Sequence, residues 1–443
     1  MKKIILAFIA VASILYACQK TELKVTDRIN TDPDISEARD LSAMLQPASD
    51  DYASIPQDPK NPLTAEKAAL GKLLFHETRL GVSSMQVEGL HTYSCATCHH
   101  AEAGFQSGLA QGISEGGEGF GIAGETRIPS ALYNIANIDV QPIRSPSVLN
   151  SAYSEVVLWN GELGSTGVNI GTEYAWTNDA NKNNFLGYQG LETVSIAAQS
   201  KHRLIPDTLW LASDSTYKAM FDLAFPELPD TARITSLTVA LSLAAYQRTL
   251  LANESPFQRW LRGDTKAMTR DEKDGKALFF GKAKCSKCHT GPALNSMQFL
   301  AIGMNDMQND LNGAFNVSPN NRESKGRGGF TNKNADMFKF KVPQLYNLRD
   351  VKFLGHGGSF SSVEDVIRYK NLAIPQNLNV PLTKLSKQFV PLLLTESEID
   401  KLVKFVRDAL YDPNLSRYVP AAVPSGNCIP NNDVQSRIDR GCQ

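Results

Sequence analysis

The sequence predicts a mainly α-helical protein made of two related domains with long loops. Three observations carry this expectation. A helix-like segment followed by Cys-x-x-Cys-His occurs twice: "GKLLF" leads to Cys95, Cys98 and His99, and "GKALF" leads to Cys285, Cys288 and His289. A repeated order of element and motif marks an internal duplication. Apolar residues recur at helical spacing where a period is sustained, and strand signals are sparse.

Taken in order, Lys2 and Lys3 precede an apolar run that ends on small residues, the form of a secretory signal. Leu15, Tyr16 and Ala17 ahead of Cys18 resemble a bacterial lipobox, so residues 1–17 are expected to be removed and Cys18 lipidated. The run is shorter than the ~20 residues of a membrane span, which makes the mature chain anchored and facing the periplasm or the cell surface. Residues 18–55 are polar with scattered Pro and Asp and read as a tether. Order is expected from "NPLTAEKAALGKLLFHE", with Thr64 as N-cap, Glu66 in the first turn and Ala69, Leu70, Leu73 and Leu74 as the apolar stripe.

That helix opens a first domain, 56–255. "TSLTVALSLAAYQRTLLANESPFQRWL" reads as a buried helix and the passage into a second domain, 256–418; Gln247 and Arg248 interrupt it too early for a membrane span. In the second domain Thr269 caps the helix before the second motif. Thr395 and Glu398 form a capping-box pattern ahead of a face of Ile399, Leu402, Val403, Val406 and Leu410. Residues 419–443 form a tail with little apolar content, in which Cys428 and Cys442 are expected to pair as a disulfide.

The 443 residues, 42% hydrophobic and 21% charged, suffice for two or three ordinary globular domains. A net charge of −1 gives no ground for a nucleic acid partner. The seven cysteines divide as one for lipid, four in the motifs and one pair.

Cys-x-x-Cys-His supplies two thiols for the vinyl groups of a haem and an adjacent imidazole for its iron, so two covalent c-type haems are expected. A four-thiol zinc site would place its two pairs roughly 15 to 20 residues apart, whereas Cys98 and Cys285 lie in different domains. Neither motif sits in the βαβ pattern of a redox dithiol. "GEGFGIAG" has dinucleotide-fingerprint spacing but no flanking strand and helix, and reads as a Gly-rich loop beside the first haem.

The segments "LGKLLFHETRLG", "SCATCHH", "RSPSVLNSAYSEVVLWNGE", "ALFFGKAKCSKCHTGP", "KVPQLYNLRDVKFLGHGGSFSSVEDVI" and "PLLLTESEIDKLVKFVRDAL" together resemble the bacterial di-haem cytochrome c peroxidases and their MauG-type relatives. The resemblance implies two cytochrome c-like domains, with a peroxide-reacting haem in the first and an electron-transfer haem in the second. Many family members carry a removable distal His in a loop that here reads "LAQGISEGGEGFG", without His, which implies a first iron that is open or closed by something other than a His of this loop. His100 is expected at the surface or against a propionate. For the acid–base group above the first iron the resemblance points to Glu192 first, then Gln199 and His202.

At the second haem the family's sixth ligand falls at Lys370 or its neighbour Tyr369, where peroxidases have Met and MauG-type enzymes Tyr. Helical spacing sets Lys370 with Val363, Val366 and Ile367, and Tyr369 about 100° away. Trp159 matches the aromatic residue between the haems, Glu162 replaces an expected Arg, and His356 matches a structural His near the haem interface. Ser145 replaces the side-chain Asn of a family calcium site, which leaves calcium as a candidate ligand. The implied activity is reduction of hydrogen peroxide with electrons from a small cytochrome or cupredoxin. The rival readings are a MauG-type oxidase modifying a partner protein, and an electron-transfer lipoprotein. Family members are often dimers, so a homodimer is among the expected partners.

Overall fold

In the computed structural model, residues 37, 38 and 40–442 are described; the signal segment and Cys18 lie outside them. The longer helices are α1 (Ala65–His76), α2 (Gly190–Lys201), α3 (Ser215–Ala224), α4 (Ser236–Thr249), α5 (Arg270–Phe280), α6 (Val363–Leu372), α7 (Glu396–Lys404) and α8 (Val434–Arg440). Among the described residues strand is confined to two short antiparallel pairs. In one, β1 (Gly117–Glu118) meets β2 (Ile128–Pro129); in the other, β3 (Phe299–Leu300) meets β4 (Phe340–Lys341), with Phe299 opposite Lys341. The mainly helical expectation is met.

Local chemistry starts these helices where the sequence places the signals. Thr64 accepts a hydrogen bond from the Lys67 amide at the start of α1. Reciprocal capping boxes join Thr269 to Glu272 at α5 and Thr395 to Glu398 at α7. These satisfy amides that the first helical turn leaves without intrahelical partners. The buried face of α1 differs from the expected stripe: Ala69 is exposed, while Ala68, Leu70, Gly71, Leu74 and Phe75 are buried. The cause is that α1 packs on both α3 and α4.

The duplication is visible in how each motif helix crosses its closing helix. α1 crosses α4 at Gly71, where a Cβ would stand 1.9 Å from the Ser242 carbonyl oxygen. α5 crosses α7 at Gly275, where a Cβ would stand 2.0 Å from the Lys401 carbonyl oxygen. The two glycines occupy the same place in "GKLLF" and "GKALF". One apolar core joins both halves, running from Leu70, Leu74 and Tyr246 to Phe279, Leu402 and Phe405.

One expectation about the chain ends is corrected. The described part of the tether belongs to the folded body: Ile55 and Gln46 are buried, and Gln46 is held by the Gln258 side chain and the Pro292 carbonyl. The C-terminal tail is closed by the Cys428–Cys442 disulfide and packs on the first motif. Its anchors are polar where apolar ones are scarce. Asp433 accepts from the Gly119 amide and pairs with Arg127, Asp439 accepts from the Phe120 and Gly121 amides, and the Pro430 carbonyl accepts from the Ser94 hydroxyl. Among the described residues no helix is long and apolar enough to cross a membrane.

Candidate functional site

Both Cys-x-x-Cys-His motifs open onto one cavity of about 1280 Å³, whose walls include Cys95, Cys98, His99, Cys285, Cys288 and His289. Each motif begins on a single 3-10 turn, Cys95–Thr97 and Cys285–Lys287. His99 donates through Nδ1 to the Phe105 carbonyl at 3.3 Å. His289 donates through Nδ1 to the carbonyls of Leu294 at 2.9 Å and Pro343 at 3.1 Å. That fixes the tautomer and leaves each Nε2 as a bare acceptor. Burial pushes both imidazoles down to about 4, so they are neutral at pH 7. The four thiols are free, and burial pushes Cys95, Cys98 and Cys285 up to about 12.

Between the motifs the wall is aromatic and cationic. Trp159 donates from Nε1 to the Arg144 carbonyl at 2.8 Å and meets His356 edge-on, with ring centroids 6.3 Å apart. His356 stacks on Phe340 at 3.7 Å and bonds Asp306 at 2.9 Å. The Arg144 guanidinium is buried, bonded to Leu109, Ser107 and Gln106, yet its Nε has no partner. Lys341, also on this wall, is pushed down to about 8 by burial.

A family model described as di-haem cytochrome c peroxidase matches residues 65–266. The methylamine utilization protein MauG of Methylorubrum extorquens is 31% identical over 363 residues, covering 81% of this chain and 82% of that protein. The chain belongs to the di-haem cytochrome c peroxidase family. The cytochrome c peroxidase Ccp of Escherichia coli K12 is 28% identical over 314 residues, covering 71% of this chain and 54% of that protein. A solved MauG-like protein associated with microbial copper homeostasis shares the fold, with a TM-score of 0.57 and 24% identity over 82% of this chain and 95% of that one.

The cavity fits the two haems that membership of the di-haem family implies. It offers two neutral imidazoles with free Nε2 atoms and four protonated thiols suited to carbon–sulfur bonds. The orphaned Arg144 Nε and the Lys341 ammonium suit acidic haem substituents. Among the described residues no group of three or more His, Cys, Asp or Glu side chains is arranged to hold a metal ion.

The first-haem wall corrects the expectation for Glu192. This carboxylate does not line the cavity; it is fully buried and bonded by Arg248 at 2.6 and 3.0 Å and by Asn61 at 3.2 Å. Gln199 and His202 do line the cavity. The Gln199 amide donates to the Ser236 carbonyl at 2.8 Å. His202 bonds through Nδ1 to the Asp139 carboxylate at 2.8 Å. Burial alone would raise the Asp139 carboxyl, but His202, the Ser114 hydroxyl and Arg203 hold it below its ordinary value. Asp139 went unseen in the sequence because nothing local marks a partner 63 residues away.

Further expectations are settled by position. His100 is buried, bonded to the Ala123 carbonyl of the Gly-rich loop and edge-on to Phe120, so it is not a surface residue and does not line the cavity. That loop gives its Gly119, Phe120 and Gly121 amides to Asp433 and Asp439 of the tail. Glu162 is neutralised by Arg322, a partner the sequence reading missed. Of the two ligand candidates in α6, Lys370 lines the cavity. Tyr369 does not: its hydroxyl donates to the Ile302 carbonyl, which removes it from the set of ligands.

Proposed function

We propose that this chain is an exported, lipid-anchored peroxidase that reduces hydrogen peroxide to water with two electrons from a small cytochrome or cupredoxin. The observation that carries the reading is the opening of both motifs onto one cavity whose first-motif wall includes a carboxylate-held imidazole. Cys95 and Cys98, and Cys285 and Cys288, would bind the haems covalently, with His99 and His289 holding their irons. Residues 56–255 would carry the first haem and 256–418 the second. When bound, each haem supplies an iron that exchanges one electron, and the first supplies the face where peroxide reacts.

The chain handles the protons. Reducing peroxide to two waters consumes two protons with two electrons, and cleavage of the O–O bond calls for a proton to pass from one oxygen to the other. With Nδ1–H given to Asp139, His202 offers its Nε2 to take that proton and return it. Asp139 stabilises the imidazolium in between. Gln199 contributes a polar side chain to the same wall. Trp159, with its indole nitrogen fixed on Arg144, carries charge between the two sites.

A second reading is favoured by the likeness to MauG: storage of both oxidising equivalents for use on a partner protein. The test adds peroxide to the half-reduced holoprotein with reduced cytochrome as the only donor. Continuous oxidation of two cytochromes per peroxide is the expected result; haems that respond while the cytochrome is spared overturn it in favour of the second reading. His202→Gln is expected to lower turnover about 10²- to 10⁴-fold with the haem spectrum retained. Unchanged turnover would exclude His202.

A further inference from the structure

We infer that the Lys370 amine is the second protein ligand, beside His289, to the iron of the haem that Cys285 and Cys288 would hold, an inference that rests on the haem reading above. α6 turns one face to the cavity, formed by Val363, Val366, Ile367 and Lys370 at i, i+3, i+4 and i+7. Its start is fixed by Ser362, which accepts from the Asp365 amide. The only nitrogen on that face is the Lys370 amine.

Two lysines of α7, the helix packed on α6, have carboxylate partners: Lys401 bonds Asp274 at 2.7 Å and Lys404 bonds Asp271. Lys370 has no hydrogen bond or ion pair among the described residues, and its Nζ lies 5.0 Å from the centre of the Phe389 ring. It lines the same cavity as His289, Cys285 and Cys288. An ammonium enclosed by apolar groups without a counter-ion is costly, whereas a neutral amine facing an iron is satisfied. Ligation uses the amine lone pair, releases one proton to solvent and transfers no electron.

Two rivals are present. Tyr369 is held away by its bond to Ile302 and by its contacts with Phe360 and Phe389, with centroids 5.0 and 5.2 Å apart. Met304 lines the same cavity, but its Sδ lies against Gly355, 3.2 Å from where a Cβ would stand.

The test compares the ferric full-chain holoprotein with Lys370→Ala, Lys370→Met and Met304→Leu, using electron paramagnetic resonance, the near-infrared ligand band and the midpoint potential. Wild type is expected to show one low-spin haem with nitrogen ligation. Lys370→Ala is expected to convert it to high spin, with added methylamine restoring low spin. Lys370→Met is expected to stay low spin at a raised potential, because thioether ligation raises it. Met304→Leu is expected to match wild type. A wild-type spectrum and potential in Lys370→Ala, or loss of the low-spin signal in Met304→Leu alone, overturns the ligation and leaves the haem reading standing. A purified chain without two covalent haems overturns both.

Discussion

Arg248 grips both oxygens of Glu192 in an ion pair removed from solvent, with Nη2 2.6 Å from Oε2 and Nε 3.0 Å from Oε1. Such a carboxylate has no free lone pair directed at a substrate, and its charge is balanced where it stands. Removing one member of a buried pair leaves the other uncompensated, a loss of roughly 3–5 kcal/mol. Glu192→Gln is therefore expected to lower the unfolding midpoint strongly while the folded fraction turns over peroxide at nearly the wild-type rate. Denaturant titration beside single-turnover kinetics checks this. A variant with wild-type stability and a hundredfold loss of turnover would return Glu192 to the active site.

The glycines that let the paired helices cross make a second prediction. Gly71→Ala and Gly275→Ala each drive a methyl group into a facing carbonyl, at 1.9 and 2.0 Å before relaxation. Overpacking of this kind costs about 1–3 kcal/mol. Each glycine serves a different helix pair, so the double variant should lose the sum of the two to within about 0.5 kcal/mol. Urea unfolding of the single and double variants measures it. A neutral Gly275→Ala would show that the second crossing is not constrained like the first.

What the sequence disclosed follows how local the chemistry is. The haem motifs were legible because five consecutive residues hold both thiols and the imidazole, and the capping boxes because their partners lie three residues apart. Helical spacing set Tyr369 and Lys370 on different faces, but which face meets the cavity depends on how α6 packs on α7. Glu192 was misread for the same reason: helix α2 offers it to Arg248 of α4, and no local pattern tells an ion-pair partner from an acid–base group. The polar composition of the tail gave no sign of what seats it, because its holders are two aspartates whose amide partners lie more than 300 residues away.

Acid sensitivity should arise in part at His76, which is 2% exposed and bonds through Nδ1 to the Lys72 carbonyl at 2.9 Å. Burial pushes it down from 6.5 to about 4 in the folded protein. Above pH 6.5 it is neutral folded and unfolded, and its contribution is intact. As the pH falls from 6.5 towards 4 the unfolded chain takes up a proton that the folded chain refuses, so stability drops, levelling off once the folded form protonates as well. The loss amounts to about 3 kcal/mol at one pK unit per 1.36 kcal/mol. His76→Leu should flatten that slope in unfolding measurements between pH 4 and 7; an unchanged slope would place the proton uptake elsewhere.

The last prediction concerns the Cys428–Cys442 disulfide, which closes a span of 14 residues around α8. A loop of this length confers about 3 kcal/mol by restricting the unfolded chain. The closed loop also holds together the groups that meet the first motif: Pro430 on Ser94, Asn432 on Thr92, and Asp433 and Asp439 on the Gly-rich loop. The paired substitution Cys428→Ser and Cys442→Ser should therefore lower the thermal midpoint and open residues 425–442 to proteolysis while the second haem's spectrum stays constant. If the tail remains protected and the midpoint is unmoved, the charge-assisted bonds of Asp433 and Asp439 suffice to seat it, and the cross-link adds nothing to the native contacts it encloses.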